Sequence, residues 1–148
     1  MLGALAATAL VSAAVIDVWR RLIPDAIPLV LLALGSVQLV ALGAWADALL
    51  RVAIALTVFA AGLAAFMAGI LGGGDVKLGA ATALWVPPPL LLDFALVVAL
   101  TGGLLAVAVL VVRQIRARAL GHALAATASV PYGAAIAAGG CSILATTA

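Results

Sequence analysis

The chain has 148 residues, 68% of them hydrophobic and 8% charged, with a mean hydropathy of +1.42; soluble domains are roughly half apolar, so this composition excludes one. Crossing a hydrocarbon core about 30 Å thick takes about 20 apolar residues, so the length holds at most about six crossings with short connectors and no soluble domain. The net charge of +2 comes from seven basic residues scattered between apolar runs, which form no patch able to track a phosphate backbone and argue against a nucleic-acid partner. A single cysteine, Cys141, excludes a disulfide framework and a multi-cysteine zinc site.

The first apolar run predicts a helix from about Leu2 to Val18. No Lys or Arg precedes Arg20, so the basic n-region of a cleavable signal is missing, and the charges that follow the run orient its N-terminus outside. The charged, proline-containing stretch from Trp19 to Asp25 closes it. A second helix is expected from about Ala26 to Leu42, with Asp25 as N-cap and Pro28 in the first turn, where a missing N–H costs little. A connector carrying Trp45, Asp47 and Arg51 leads to a third helix, about Leu49 to Leu71. Gly72-Gly73-Gly74-Asp75 interrupts the pattern. The fourth helix, about Asp75 to Val86, stops at Pro87-Pro88-Pro89; at 1.5 Å per residue it is about 18 Å long, too short to span. Irregular backbone at membrane depth survives only under protein cover or beside a wet cavity, so the glycine turn is expected partly inside the bilayer, facing other helices. A fifth helix follows from about Leu90 to Val112, then a basic connector from Arg113 to Arg118. The sixth runs from about Ser129 to Thr146, with Pro131 in its first turn.

The expected fold is therefore all-α: a polytopic membrane protein of about six transmembrane helices, one shortened, forming a single membrane-embedded domain over residues 1–148. With the N-terminus outside, Arg20, Arg21, Lys77, Arg113, Arg116 and Arg118 fall on the cytoplasmic side and only Arg51 opposite, a bias that sets the orientation. It also brings the end of the first helix, with Asp17, and the start of the fourth, with Asp75, to one face.

Intramembrane carboxylates cost a few kcal/mol each on insertion scales, about 2.5–3.5 at mid-bilayer, and so call for a reason. All five acids are Asp. Asp47 and Asp93 fall in outer connectors, and Asp25 is accounted for as a cap; Asp17 and Asp75 remain. Peptide hydrolysis by two carboxylates needs one ionised, to activate water, and one protonated, to polarise the carbonyl. Close packing enforces that split, because like charges in one desolvated site cannot both ionise cheaply. On the dipoles of their own helices, Asp75 at an N-terminus is expected as the base and Asp17 in a last turn as the acid. Glycines at 72–74 suit a positive-φ turn that admits a substrate backbone; the alternative is an ordinary Gly-rich turn ending in an N-cap Asp.

Three segments, DVWRRLIPD with Asp17, Arg21, Ile23 and Pro24, GGGDVKLGAA from Gly72 to Ala81, and VPYGAAIAAGG from Val130 to Gly140, resemble the prepilin peptidases. These are intramembrane aspartic proteases of the GxGD type, and the short CpaA/TadV-like members associated with Flp and tight-adherence pili are the nearest in pattern. The resemblance runs through essentially the whole chain. It implies Asp17 and Asp75 as the catalytic pair, with Gly72, Gly74, Lys77, Arg21, Pro24 and Tyr132 as substrate-binding or site-supporting positions. It further implies cleavage of the leader of a prepilin or pseudopilin after a glycine, at the cytoplasmic face of the inner membrane. The family usually has Asn after Ile-Pro where this chain has Asp25, a third acid near the pair. Longer members carry a cysteine-rich insertion and also methylate the new N-terminus; this chain has neither insertion nor cysteines, so cleavage without methylation is expected, with no metal, zinc or S-adenosylmethionine required.

Other residues have plainer readings. Lys77 lies two positions from Asp75, off its helix face, and is expected to snorkel to headgroups. Arg20 and Arg21 act as topology anchors, Tyr132 is a structural residue at a helix start, His122 is a solvated connector residue, and Gly133, Ala137 and Gly140 serve close helix packing. Two rival functions remain: a small proton or ion transporter, which should show a polar path or a repeated half, and a non-catalytic membrane subunit of a pilus or secretion assembly.

Overall fold

The computed structural model describes residues 1–120 and 131–147. Six α-helices follow in order: α1 (Leu2–Arg20), α2 (Ala26–Leu42), α3 (Trp45–Met67), α4 (Gly73–Ala83), α5 (Leu91–Leu120) and α6 (Tyr132–Thr147), with a 3-10 turn at Pro88–Leu90 before α5. The protein is an all-α polytopic membrane protein. α1, α3 and α5 are each long and apolar enough to cross a bilayer, whereas α2 and α6 are shorter apolar helices. Ser129, Val130 and His122 lie outside the described residues.

α4 is the centre of the bundle, packed by α2, α3 and α6, while α6 also packs on α1 and α5. Val76, Leu78, Ala81, Thr82 and Ala83 of this short helix are all buried. The irregular stretch after it is covered as well: Trp85 and Val86 are buried, and the Trp85 indole N–H donates to the Leu31 carbonyl at 3.0 Å. Backbone groups freed by the break are thus shielded from lipid by protein, as a broken helix at membrane depth requires. Lipid tails are as apolar as leucine, so burial alone does not hold such a bundle together; close contact at small residues does. A Cβ at Gly140 would lie 2.7 Å from both Leu10 of α1 and Thr82 of α4. Glycine there lets α6 wedge between the two helices that carry the candidate acids.

Several boundaries differ from the expectation. α3 begins at Trp45, so Trp45, Asp47 and Arg51 lie in its first turns and not in a connector. The Arg51 Nε–Asp47 Oδ2 pair at 2.8 Å, four residues apart, supports those turns. The helix then stops at Met67 because Gly69 takes a left-handed conformation, φ 72°. The Ile70 and Gly69 N–H groups return to the Ala65 and Phe66 carbonyls, both at 2.9 Å, a Schellman closure that ends the helix inside an apolar run. The positive φ expected at the glycine triplet is therefore at Gly69; Gly72 is extended, φ −78° and ψ 146°, and Gly73 and Gly74 already belong to α4. Finally, the basic stretch Arg113–Arg118 is not a connector but the end of α5. Its Arg, Gln, Ala and Ile contain no breaker, and the 30-residue helix runs about 45 Å, longer than a hydrocarbon core of about 30 Å.

Candidate active site

Three helix termini meet at one end of the bundle. α1 contributes its last turn with Asp17, which is only 5% exposed. Directly after it the chain reverses: Arg21 is left-handed, φ 52° and ψ 34°, and its N–H donates to the Asp17 carbonyl. A non-glycine residue in that region costs roughly 1–2 kcal/mol. The reversal turns Ile23 inward, where it is buried, and the Pro24 carbonyl accepts the Ile27 N–H at 3.1 Å to start α2.

α4 contributes its first turn with Asp75. Ile23 sits against this turn, where a Cβ on Gly74 would come 3.1 Å from the Ile23 Cβ, and a Cβ on Gly72 would come 3.0 Å from Asp75 Oδ2. The glycine requirement at 72 and 74 is thus one of close approach. The Gly72 N–H faces the Asp75 carboxyl group. Asp75 Oδ1 is buried without any hydrogen-bond partner.

α6 supplies the third terminus. The Ala134 N–H donates to Asp17 Oδ2 at 3.3 Å, and the Gly133 N–H faces both Asp17 and Asp75. The two carboxyl groups are near enough to interact electrostatically with each other, as is Arg21 with Asp17. A positive helix end therefore abuts both acids. Beyond the dipoles of α1 and α4, α6 adds a field and a hydrogen bond at Asp17.

The remaining expected positions are placed apart from this junction. Lys77 does lie away from Asp75, but its ammonium is held by Asp25 at 2.7 Å. Asp25 accordingly makes no side-chain capping bond to α2; its backbone is helical, φ −58° and ψ −22°. The third acid is directed to a cation and away from the pair. Tyr132 opens α6 with its ring toward α5, where a Cβ on Gly102 would lie 3.6 Å from the ring carbons. Pro24 shapes the turn and has no polar atom on the acids. Sequence reasoning missed Gly133, Ala134 and Ile23 as parts of this junction. Proline followed within two residues by glycine at a helix start was the available signal, since such a start exposes amide groups.

A groove of about 480 Å³ between α2, α3 and α4 is lined by Pro28, Leu32, Ser36, Phe59 and Leu84, with Asp25 and Lys77 at its mouth. Lys77 and Leu84 lie roughly half a helical turn around α4 from Asp75, at about 100° per residue, so the groove and the acids occupy opposite sides of α4.

A family model described as "Type IV leader peptidase family" matches residues 4–107. The chain belongs to this family. The matched span includes Asp17 and Asp75 and stops before α6, so the helix whose amides meet the acids is outside it. No curated protein and no solved structure matches the chain. Membership identifies a peptidase whose substrates are leader-bearing type IV prepilins, carried by a membrane-embedded bundle.

Proposed function

We propose that the protein is an aspartic endopeptidase with Asp17 and Asp75 as its catalytic pair, cutting the leader of Flp-type prepilins or pseudopilins at the cytoplasmic face of the inner membrane without methylating the product. The observation that carries the reading is the meeting of the two acids at a junction of three helix ends, with Asp75 Oδ1 left unpartnered. A carboxyl oxygen that the protein itself leaves without a partner has hydrogen-bonding capacity for a water or a substrate group. In the reaction the ionised member takes a proton from a water, whose oxygen adds to the scissile carbonyl carbon. The protonated member gives its proton to the developing oxyanion. Collapse of the tetrahedral adduct breaks the C–N bond: the proton held by the first acid passes to the leaving amine, and the second acid, now a carboxylate, takes a proton back from the diol hydroxyl as the product carboxyl group forms. One acid starts charged and the other neutral, so the pair acts as a unit.

The cytoplasmic orientation is supported by charge. Arg20, Arg21 and Lys77 flank the acid junction in sequence, and the α5 end carrying Arg113, Arg116 and Arg118 runs past the start of α6, since Gly102 faces Tyr132 while Val98 and Phe94 face Gly139 in an antiparallel pair. The pilin class and the lack of methylation rest on the three matching segments and on the absence of a cysteine-rich insertion. The test is mass spectrometry of an Flp-type prepilin incubated with the purified protein in lipid, using wild type, Asp17→Asn and Asp75→Asn. Leader loss with wild type alone, giving an unmethylated new N-terminus, is the expected result; an uncut precursor with folded enzyme sinks the reading.

A further inference from the structure

α6 meets the acid pair through a residue with no side chain, and the surroundings of that residue show why. A Cβ on Gly133 would lie 2.8 Å from Asp17 Oδ2 and 2.6 Å from the Ile23 Cδ1. Both distances are below what real contacts allow, and the two obstacles differ in kind. The Ile23 methyl is the end of a flexible apolar side chain that can be removed, whereas the Asp17 carboxyl group is part of the candidate chemistry. The amides on either side of this contact are those that face the acids: Ala134 donates to Asp17 Oδ2 and Gly133 faces Asp17 and Asp75 together. Tyr132, Gly133 and Ala134 are the first three residues of α6, where N–H groups have no intrahelical acceptor and must find one outside.

We propose that Gly133 is a positioning residue of the acid pair: its missing side chain lets the first turn of α6 close on Asp17 and Asp75, so that the amides of Gly133 and Ala134 fix the orientation of both carboxyl groups. The glycine triplet before Asp75 positions one acid from its own helix; Gly133 positions the two relative to each other from a third helix. This rests on the reading of Asp17 and Asp75 as the catalytic pair, and the experiment separates the two claims. A misplacement of about 1 Å in catalytic groups costs on the order of 100-fold in rate, so the effect belongs in kcat more than in KM.

Three variants of the full chain in lipid carry the test. Gly133→Ala/Ile23→Val removes the Ile23 Cδ1 obstacle and leaves only the crowding of Asp17; Ile23→Val alone is its reference. Ala134→Pro deletes one donor and adds no side chain at residue 133, its ring Cδ taking the place of the N–H directed at Asp17 Oδ2. Each is assayed for prepilin cleavage and for the infrared C=O band of protonated carboxyl groups, assigned to the pair by its change in Asp17→Asn and Asp75→Asn. The expected result is a kcat on the order of 100-fold below Ile23→Val with KM within about threefold, and a displaced carboxyl band, in both the double variant and Ala134→Pro. Cleavage by the double variant at the Ile23→Val rate with an unmoved band overturns the proposal, because glycine would then serve Ile23 packing alone. An unchanged kcat and band in Ala134→Pro overturns it equally. If wild type cuts no prepilin but the band still moves in both variants, the protease reading falls and the positioning role of Gly133 stands.

Discussion

Among the described residues, buried ionisable side chains occur at two places in this bundle, and the two are treated differently. Arg51, 8% exposed, is satisfied within the protein: its Nε pairs with Asp47 at 2.8 Å and its Nη1 reaches the Trp85 carbonyl at 3.4 Å. The acids at the α1, α4 and α6 ends form a pair of carboxyl groups in which Asp17 has an amide donor while Asp75 Oδ1 has no hydrogen-bond partner in the protein. A satisfied buried ion closes a structure, and here it ties α3 to the turn that ends α4. An unsatisfied one keeps capacity for a ligand. The contrast teaches that burial alone does not mark a site, and since Gln38 Oε1 is also buried without a partner, an unfilled valence alone does not either; what sets the second place apart is that two acids meet there.

The largest effect that would break the contrast is at the acids. Asp17→Asn or Asp75→Asn is expected to lower cleavage by at least about 1,000-fold, while the melting temperature in lipid holds or rises, because a desolvated ionisable group is replaced by a neutral amide. Wild type is expected to give a bell-shaped pH–rate profile in which both limbs belong to the pair as a unit. Asp25→Asn should leave both limbs where they are, since Asp25 faces Lys77 and not the pair; a moved limb would show that the third acid couples to the dyad. At the other centre the pattern inverts. Arg51→Met should destabilise the fold by about 1–3 kcal/mol by thermal unfolding, less than for a fully buried pair because Asp47 is partly exposed and can rehydrate, with kcat of the folded protein unchanged. Arg21 sharpens the comparison at smaller scale. Arg21→Gly relieves the left-handed backbone and should gain up to about 1 kcal/mol, whereas Arg21→Ala keeps the strain, and both lose the charge beside Asp17; the two variants differ only in the backbone, so a shared drop in cleavage rate relative to wild type reports the charge. The smallest effect is at Lys77→Ala, where an exposed ion pair contributes about 0–1 kcal/mol and a rate change beyond about threefold is not expected.

Much of the fold was legible because the bilayer imposes it. Long apolar runs and a proline triplet each have one physical reading, the glycine triplet at least marks a break, and α1, α2 and α4 fall close to where these signals put them. The ends of α3 and α5 were less legible for opposite reasons. α3 stops at Gly69 inside an apolar run, where hydropathy gives no sign of a cap. α5 continues through Arg113–Arg118, where charge suggested a connector although every residue favours helix. Asp25 does stand at the N-cap position of α2 but makes no side-chain capping bond, because capping is a local rule and its carboxylate is engaged by a cation 52 positions away, Lys77.

The sequence by itself determined that the chain is a helical membrane bundle, and it singled out Asp17 and Asp75 as the acids outside the connectors, since hydropathy, charge bias and the cost of intramembrane carboxylates are all readable along the chain. Only the tertiary structure decided that the two acids are met by the first turn of α6, that Ile23 fills the space behind them, and that Arg51 is closed off while Asp75 is not. Those are contacts between helix ends far apart in sequence, and their existence depends on how closely small residues such as Gly133 and Gly140 let backbones approach, which no periodicity records.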